Sequence, residues 1–195
     1  AEVVGYESGR KLVAPMCFAN HVLVWGRAEG LPAIFEVRGS VLVPIEFDEP
    51  IYEVTPDANY EFSTSSVRYA YESFVTPRSV YDHDLTTGER TLLKQTPVLG
   101  DFDAALYVQE RLWAPSRDGV QIPVSYVRHV DTPVDGTAPL LLYAYGAYET
   151  SMPVRFSIAR LSLLERGVAY AIAHVRGGGE MGKAWYEDGK LAKKM

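Results

Sequence analysis

Pro139-Leu140-Leu141-Leu142-Tyr143-Ala144-Tyr145-Gly146 and Val168-Ala169-Tyr170-Ala171-Ile172-Ala173-His174-Val175 are long apolar runs in the last third of the chain. Neither alternates, and a continuous apolar run of this length reads as a strand buried on both faces. Between them, Phe156 to Arg166 reads as a helix with Ile158, Leu161, Leu163 and Leu164 apolar, and it stops at Gly167, a residue suited to the position just past a helix C-terminus. Strand, helix, strand is a βαβ unit, whose two strands run parallel because a crossover joins them. The C-terminal third is therefore expected to be α/β.

Working back, Leu106 to Ala114 and Val120 to Val127 read as two strands joined by the turn Ser116-Arg117-Asp118-Gly119, and Asp131 to Thr137 is a polar connection. Residues 11 to 95 carry no helical period. They read as short strands at Lys11 to Ala14, His21 to Arg27, Ala33 to Val37, Val41 to Phe47, Ile51 to Val54, Tyr60 to Ser63, Val67 to Tyr71, Ser79 to Asp84 and Thr91 to Lys94. Ser79 to Leu93, with the tight turn Thr86-Thr87-Gly88-Glu89, is a hairpin of the kind that ends propeller blades. Strands at this spacing fit a meander, a sandwich or a propeller, and the residues alone do not display a repeat of about 40. The order is β first, α/β second.

The chain has 195 residues, with 19 Lys plus Arg against 25 Asp plus Glu, for a net charge of −6. An acidic balance argues against nonspecific nucleic-acid binding, which needs a basic face. At 47% hydrophobic and 23% charged residues, the composition is that of a globular chain able to bury a core. The apolar runs fall short of the roughly 20 residues that cross a bilayer, so no membrane partner is expected. Cys17 is the sole cysteine, and its neighbours Met16 and Phe18 point to a buried thiol in a reducing, cytoplasmic setting. Ala1-Glu2-Val3-Val4 lacks the basic and apolar regions of a signal peptide, and Lys190 to Met195 stops without a helix terminator, so both ends read as cut from something longer.

Gly177, Gly179 and Gly182 satisfy G-x-G-x-x-G after a strand, which brings a dinucleotide site into consideration. The bulky Trp185-Tyr186 pair close behind suits a phosphate-cradling helix poorly, and a crossover needing positive φ is the stronger reading. His21, His83, His129 and His174 show no metal-ligand spacing, so neither a metal nor another cofactor is expected. Asp82-His83-Asp84 lies on a hairpin strand, where neighbours alternate sides and cannot converge, and His83 reads as a surface hydrogen-bonded side chain. His174 reads as a satisfied core histidine, and no G-x-S-x-G elbow occurs anywhere. What remains is Tyr143-Ala144-Tyr145-Gly146-Ala147-Tyr148, leaving the C-terminal end of a strand where open α/β sheets bind ligands. A phenol there can aim its proton at charge developing on a carbonyl oxygen, a donation typically worth about 3 to 4 kcal/mol in the transition state. Three aromatics capping a core is the equal alternative.

Leu140 to Tyr148, Arg160-Leu161-Ser162-Leu163-Leu164, Ala171 to Gly182 and Trp185-Tyr186-Glu187-Asp188-Gly189-Lys190 together resemble the oligopeptidase B group of the prolyl oligopeptidase family of serine peptidases. The likeness is densest over residues 138 to 195 and thins upstream. It implies a seven-bladed β-propeller joined to an α/β-hydrolase domain: the terminal blades in residues 1–100 and the first part of the peptidase domain in 101–195, with the Ser-Asp-His triad beyond Met195 and no activity in this chain alone. It further implies that Tyr145 belongs to the oxyanion hole and Tyr148 lines the substrate pocket. Ala144 stands where the family more often has Gly, harmless if its φ is negative. Pro153 and Arg155 stand where many members carry acids that favour a basic residue at the second substrate position. Arg155 would repel such a side chain. Short peptides are the implied substrates, with cleavage after Arg or Lys by analogy, and Glu180 reads as structural. A relative of prolyl-oligopeptidase or acylaminoacyl-peptidase specificity, or a noncatalytic peptide binder, shares the same motifs.

Overall fold

The computed structural model describes residues 3–193. Strands β1 (Arg10–Cys17), β2 (Val22–Ala28), β3 (Leu31–Arg38) and β4 (Val41–Pro44) form one antiparallel meander, and β5 (Glu53–Pro56), β6 (Ser66–Glu72), β7 (Ser79–Asp84) and β8 (Arg90–Gln95) form another. Each sheet has four strands in chain order, the pattern of a propeller blade. The β2–β3 loop is the pair Glu29-Gly30, with φ of 50° and 83°; a two-residue hairpin turn with both central φ positive matches the twist of its strands. The Thr86-Thr87-Gly88-Glu89 hairpin forms as read, with the Asp84 carboxylate accepting the Thr86 and Thr87 N–H groups at 2.8 Å.

The two blades pack face to face. Leu23, Trp25 and Ile34 from the first meet Val54, Val67, Tyr69, Tyr71 and Leu85 from the second, with Phe47 and Tyr52 of the connecting segment against them. Leu23, Ile34 and Val67 are fully buried, each contributing about 1.5 to 3 kcal/mol. Phe47 stacks on Tyr71 with ring centroids 5.4 Å apart.

Strands β9 (Tyr107–Pro115), β10 (Gln121–His129), β11 (Leu140–Ala144) and β12 (Ala169–Ala173) form a third sheet in the order β11-β12-β10-β9. The β11–β12 pair is parallel, as the crossover requires, and the other two pairings are antiparallel. Helix α1 (Ile158–Leu164) makes the crossover; Ser157 caps it by accepting the Arg160 N–H, and Gly167 takes φ of 77° just past its last turn. The second core joins blade to crossover: Ile51, Phe74 and Val75 pack with Tyr107, Val127, Val154, Leu161, Leu164 and Ile172. The Arg160 guanidinium lies over the rings of Phe74 and Tyr170, 4.4 and 4.2 Å from their centroids. Glu49 accepts hydrogen bonds from Ser73 and Thr76 of the second blade and from Gln109 of β9. No described helix is long and apolar enough to cross a membrane.

Several sequence expectations need correction. Tyr60 to Ser63 is not a strand: the Asn59 side chain donates to the Arg68 carbonyl and accepts the Arg68 N–H, taking the place a neighbouring strand would occupy along β6, and Tyr60 projects into solvent. Cys17 is exposed, because strand alternation sends Met16 toward the core and turns Cys17 outward. His83 is buried and not a surface side chain; it faces the interblade core 6.3 Å from the Tyr69 ring, while Asp82 on the opposite face pairs with Arg68. Its Nδ1 has no partner among the described residues, and burial, reinforced by the Arg90 charge, depresses its pKa. Within these 195 residues β11 also differs from its reading. The run read as doubly buried is open, with Leu140, Leu141, Leu142 and Tyr143 each between 44% and 57% exposed. β11 is the edge strand, and α1 packs on β12.

Gly26 faces β1 where the register slips between Leu12 and Ala14, and a Cβ there would collide with the Lys11 carbonyl. Gly26→Ala is expected to destabilise the full-length protein by about 1 to 3 kcal/mol, measured as a lowered thermal midpoint; an unchanged midpoint would show that the β1 backbone yields freely.

Candidate active site

The chain leaves β11 at Ala144 and turns through Tyr145, Gly146, Ala147 and Tyr148. Gly146, Tyr148 and Glu149 take φ of 61°, 55° and 57°, a left-handed excursion that only glycine adopts without penalty. Ala144 is not among the positive-φ residues, so its methyl is accommodated. Tyr145 is 44% exposed and Tyr148 84% exposed, so neither ring is sealed in packing.

This turn rests on the glycine-rich segment that follows β12. A Cβ on Gly177, whose φ is 96°, would strike the Gly146 carbonyl, and one on Gly179 would strike the Glu149 carbonyl. The Glu149 N–H donates to the Gly177 carbonyl at 3.0 Å, and the Gly177 N–H donates to the Trp185 carbonyl at 2.9 Å. Gly177 also abuts Gly189, so three backbone segments meet where no side chain fits. The glycines serve this close approach. The helix behind them, α2 (Lys183–Glu187), is a single short turn of five residues with no side-chain cap, and Gly182 ahead of it takes φ of 91°. Arg176, at the head of the segment, pairs with Asp118 of the β9–β10 turn at 2.6 Å; bonds from Ser116 and Arg176 pull the Asp118 carboxyl down to about 2.

Beneath the glycines lies a buried polar chain that sequence reading missed. Ser125 Oγ is 2.8 Å from His174 Nε2, and His174 Nδ1 is 3.4 Å from Glu180 Oε1. All three side chains are buried, Ser125 completely, in the middle of β10. Both ring nitrogens of His174 therefore have a partner, Glu180 at Nδ1 and Ser125 at Nε2. Serine, histidine and acid are thus in line as in a catalytic triad, but no substrate reaches a serine enclosed between two strands. Glu180 Oε1 also accepts the Met152 N–H at 2.9 Å. Burial opposes ionisation of Glu180, yet the bonds from His174 and Met152 prevail and hold its pKa below the ordinary carboxylate value. The readings of His174 as a satisfied core histidine and Glu180 as structural agree with this geometry. Residues 49 positions apart leave no local signal, so Ser125 could not be found from spacing.

The propeller side grips the same loop. Lys11 of β1 reaches Glu149 at 2.6 Å, and Lys183 of α2 reaches its other oxygen at 2.9 Å. Further along, the Phe156 N–H donates to Glu72 of β6 at 3.1 Å, and Arg155 lies 3.9 Å from the same carboxylate. Tyr145 and Tyr148 therefore share one turn, while Arg155 lies past it, directed toward the blade. Among the described residues there is no cluster of His, Cys, Asp and Glu able to hold a metal.

The family described as "Prolyl oligopeptidase, N-terminal beta-propeller domain" matches residues 1–96, and that described as "Prolyl oligopeptidase family" matches residues 154–195. The chain belongs to the prolyl oligopeptidase family. Within the prolyl oligopeptidase family it is 41% identical to Protease 2 of Moraxella lacunata over 98% of its length, covering 28% of that protein. It is 53% identical to Dipeptidyl aminopeptidase BI of Pseudoxanthomonas mexicana over 77% of its length, covering 21% of that protein. Oligopeptidase B from Leishmania major superposes with a TM-score of 0.84 at 35% identity over 94% of the chain, and oligopeptidase B from Trypanosoma brucei, solved with covalently bound antipain in a closed form, with 0.86 at 32% over 96%. The chain spans 28% of either solved chain. The fold expected from the sequence, terminal propeller blades followed by the start of an α/β-hydrolase domain, is the one this prolyl oligopeptidase relative adopts.

Hydrogen bonds from Lys11 and Lys183 hold the Glu149 pKa below its ordinary value. A carboxylate so shifted stabilises fully above its unfolded pKa, and the contribution is lost as pH falls through the lower folded value. Lys11→Met is expected to cost about 0.2 to 1 kcal/mol at neutral pH, a deficit that shrinks as pH falls through the lowered folded pKa of Glu149. A thermal-midpoint deficit that does not shrink on acidification would remove the ion pair as its cause.

Proposed function

We propose that this chain is part of a serine peptidase of the oligopeptidase B type, hydrolysing short peptides through an acyl-enzyme, with cleavage after Arg or Lys. We divide it into propeller, residues 1–100, and the start of the peptidase domain, residues 101–195. The triad serine would attack the scissile carbonyl while the triad histidine takes its proton and then returns it to the leaving amine. We assign those residues, and the strands completing the sheet along the open edge of β11, to the part of the protein beyond Met195. Tyr145 would donate its phenolic proton to the oxyanion, together with a backbone N–H. The observation that supports this is the half-exposed Tyr145 on a backbone held at Gly146, Glu149 and Met152. An oxyanion donor acts by being fixed before charge develops, and this turn is so fixed.

Tyr148, largely exposed on the same turn, would line the pocket for the substrate side chain. Arg155 would disfavour a cation at the second substrate position, its charge only partly met by Glu72. Short peptides would be the only class of partner, with neither nucleic acid nor membrane. Cytoplasmic residence accords with a single cysteine in 195 residues. A second reading, an exopeptidase that removes dipeptides, draws on the 53% identity with a relative named Dipeptidyl aminopeptidase BI. Peptide anilides with free and blocked amino termini separate the two: cleavage of a blocked Arg substrate supports the endopeptidase, and an absolute need for a free amine supports the exopeptidase.

In the full-length protein, Tyr145→Phe is expected to lower kcat by about 10²- to 10³-fold with KM little changed. An unaltered kcat would remove Tyr145 from the mechanism.

A further inference from the structure

We propose that Glu180, held by His174 and Ser125, is a positioning residue for the reaction, fixing the Tyr145 turn through the backbone of Met152. The inference rests on the oxyanion role proposed for Tyr145 and asks what keeps that phenol in register.

The turn carries three positive φ angles within four residues, at Gly146, Tyr148 and Glu149, two of them on residues with side chains. Such a backbone persists only where its surroundings over-determine it. On the Gly146 side the constraint is steric, the backbone of Gly177 lying against the Gly146 carbonyl. On the far side it is polar, the Met152 N–H donating to Glu180 Oε1. Glu180 itself cannot swing. Its other oxygen finds no hydrogen-bond partner among the described residues but is confined against Gly178, where a Cβ would collide with it, and its first oxygen faces His174 Nδ1. His174 is fixed in turn, since its Nε2 meets Ser125 Oγ at 2.8 Å and its own carbonyl accepts the Trp185 indole N–H at 3.1 Å. A line of buried hydrogen bonds therefore runs from the middle of β10 to the segment behind the tyrosine. Exposure tells positioning from catalysis here: these three side chains are sealed, while Tyr145 is half open.

A group that acts through Tyr145 should matter only while Tyr145 is present. The test is a double-mutant cycle in the full-length protein, with kcat counted per titrated active site on an Arg-anilide peptide. Glu180→Ala is expected to lower kcat by about tenfold with KM within about twofold, and, added to Tyr145→Phe, to cost less than about twofold more. Glu180→Gln, whose carbonyl can still accept from Met152, is expected to recover kcat to within about threefold of wild type. A merely structural role would lower the thermal midpoint and the active fraction and leave kcat per site alone. If Glu180→Ala does not fold, Ser125→Ala takes its place, with an expected loss of about two- to fivefold that likewise vanishes beside Tyr145→Phe. Independent multiplication of the losses, or no loss per active site, overturns the proposal while leaving Tyr145 in the mechanism. A silent Tyr145→Phe overturns both readings together.

Discussion

The seating of backbone on backbone at Gly146, Gly177 and Gly189 is the constraint on which the site depends. A side chain at Gly177 would meet the carbonyl of Gly146, and one at Gly189 would meet the backbone of Arg176 and Gly177. Main-chain contact at this range fixes position more tightly than side-chain packing, since no rotamer can absorb a displacement. It allows the Tyr145 turn to hold a left-handed path that costs about 1 to 2 kcal/mol for each non-glycine residue in it. That strain sits in a loop presenting exposed phenols at the C-terminal end of β11.

Both halves of the chain supply that support. From the peptidase side come the glycines, Glu180 and Lys183; from the blades come Lys11 and Glu72. Beneath them the second core mixes Ile51, Phe74 and Val75 of the blade region with Leu161, Leu164 and Ile172 of the crossover. Arg160 sits over one ring from each side. The blades do more than pack against the α/β part, because β1 carries the lysine that meets the loop following Tyr148.

Ser125, His174 and Glu180 show why distances alone do not identify catalytic groups. The hydrogen-bonded order is that of a triad, and the acid is ionised more readily than usual. Yet a nucleophile must meet substrate, and Ser125 is wholly enclosed in β10. The same chain of bonds that elsewhere activates a serine serves here to hold a carboxylate still. The low local dielectric strengthens each of these bonds, and it also makes the second Glu180 oxygen, buried without a partner among the described residues, a cost that the others offset.

The residues by themselves determined the order of β before α/β, the blade hairpins with their Gly-bearing turns, the parallel βαβ unit and the Tyr145 turn, because hydrophobic period and turn chemistry are local properties. Composition likewise determined that the chain has a core and no long apolar span. Tertiary structure decided what depends on distant partners. It turned Cys17 outward. It buried His83 between blades and let the Asn59 side chain displace a strand at Tyr60 to Ser63. It also brought Ser125 to His174 across 49 residues and Lys11 to Glu149 across 138. Strand pairing and sheet order bring such groups together, and neither is written in the spacing of residues along the chain.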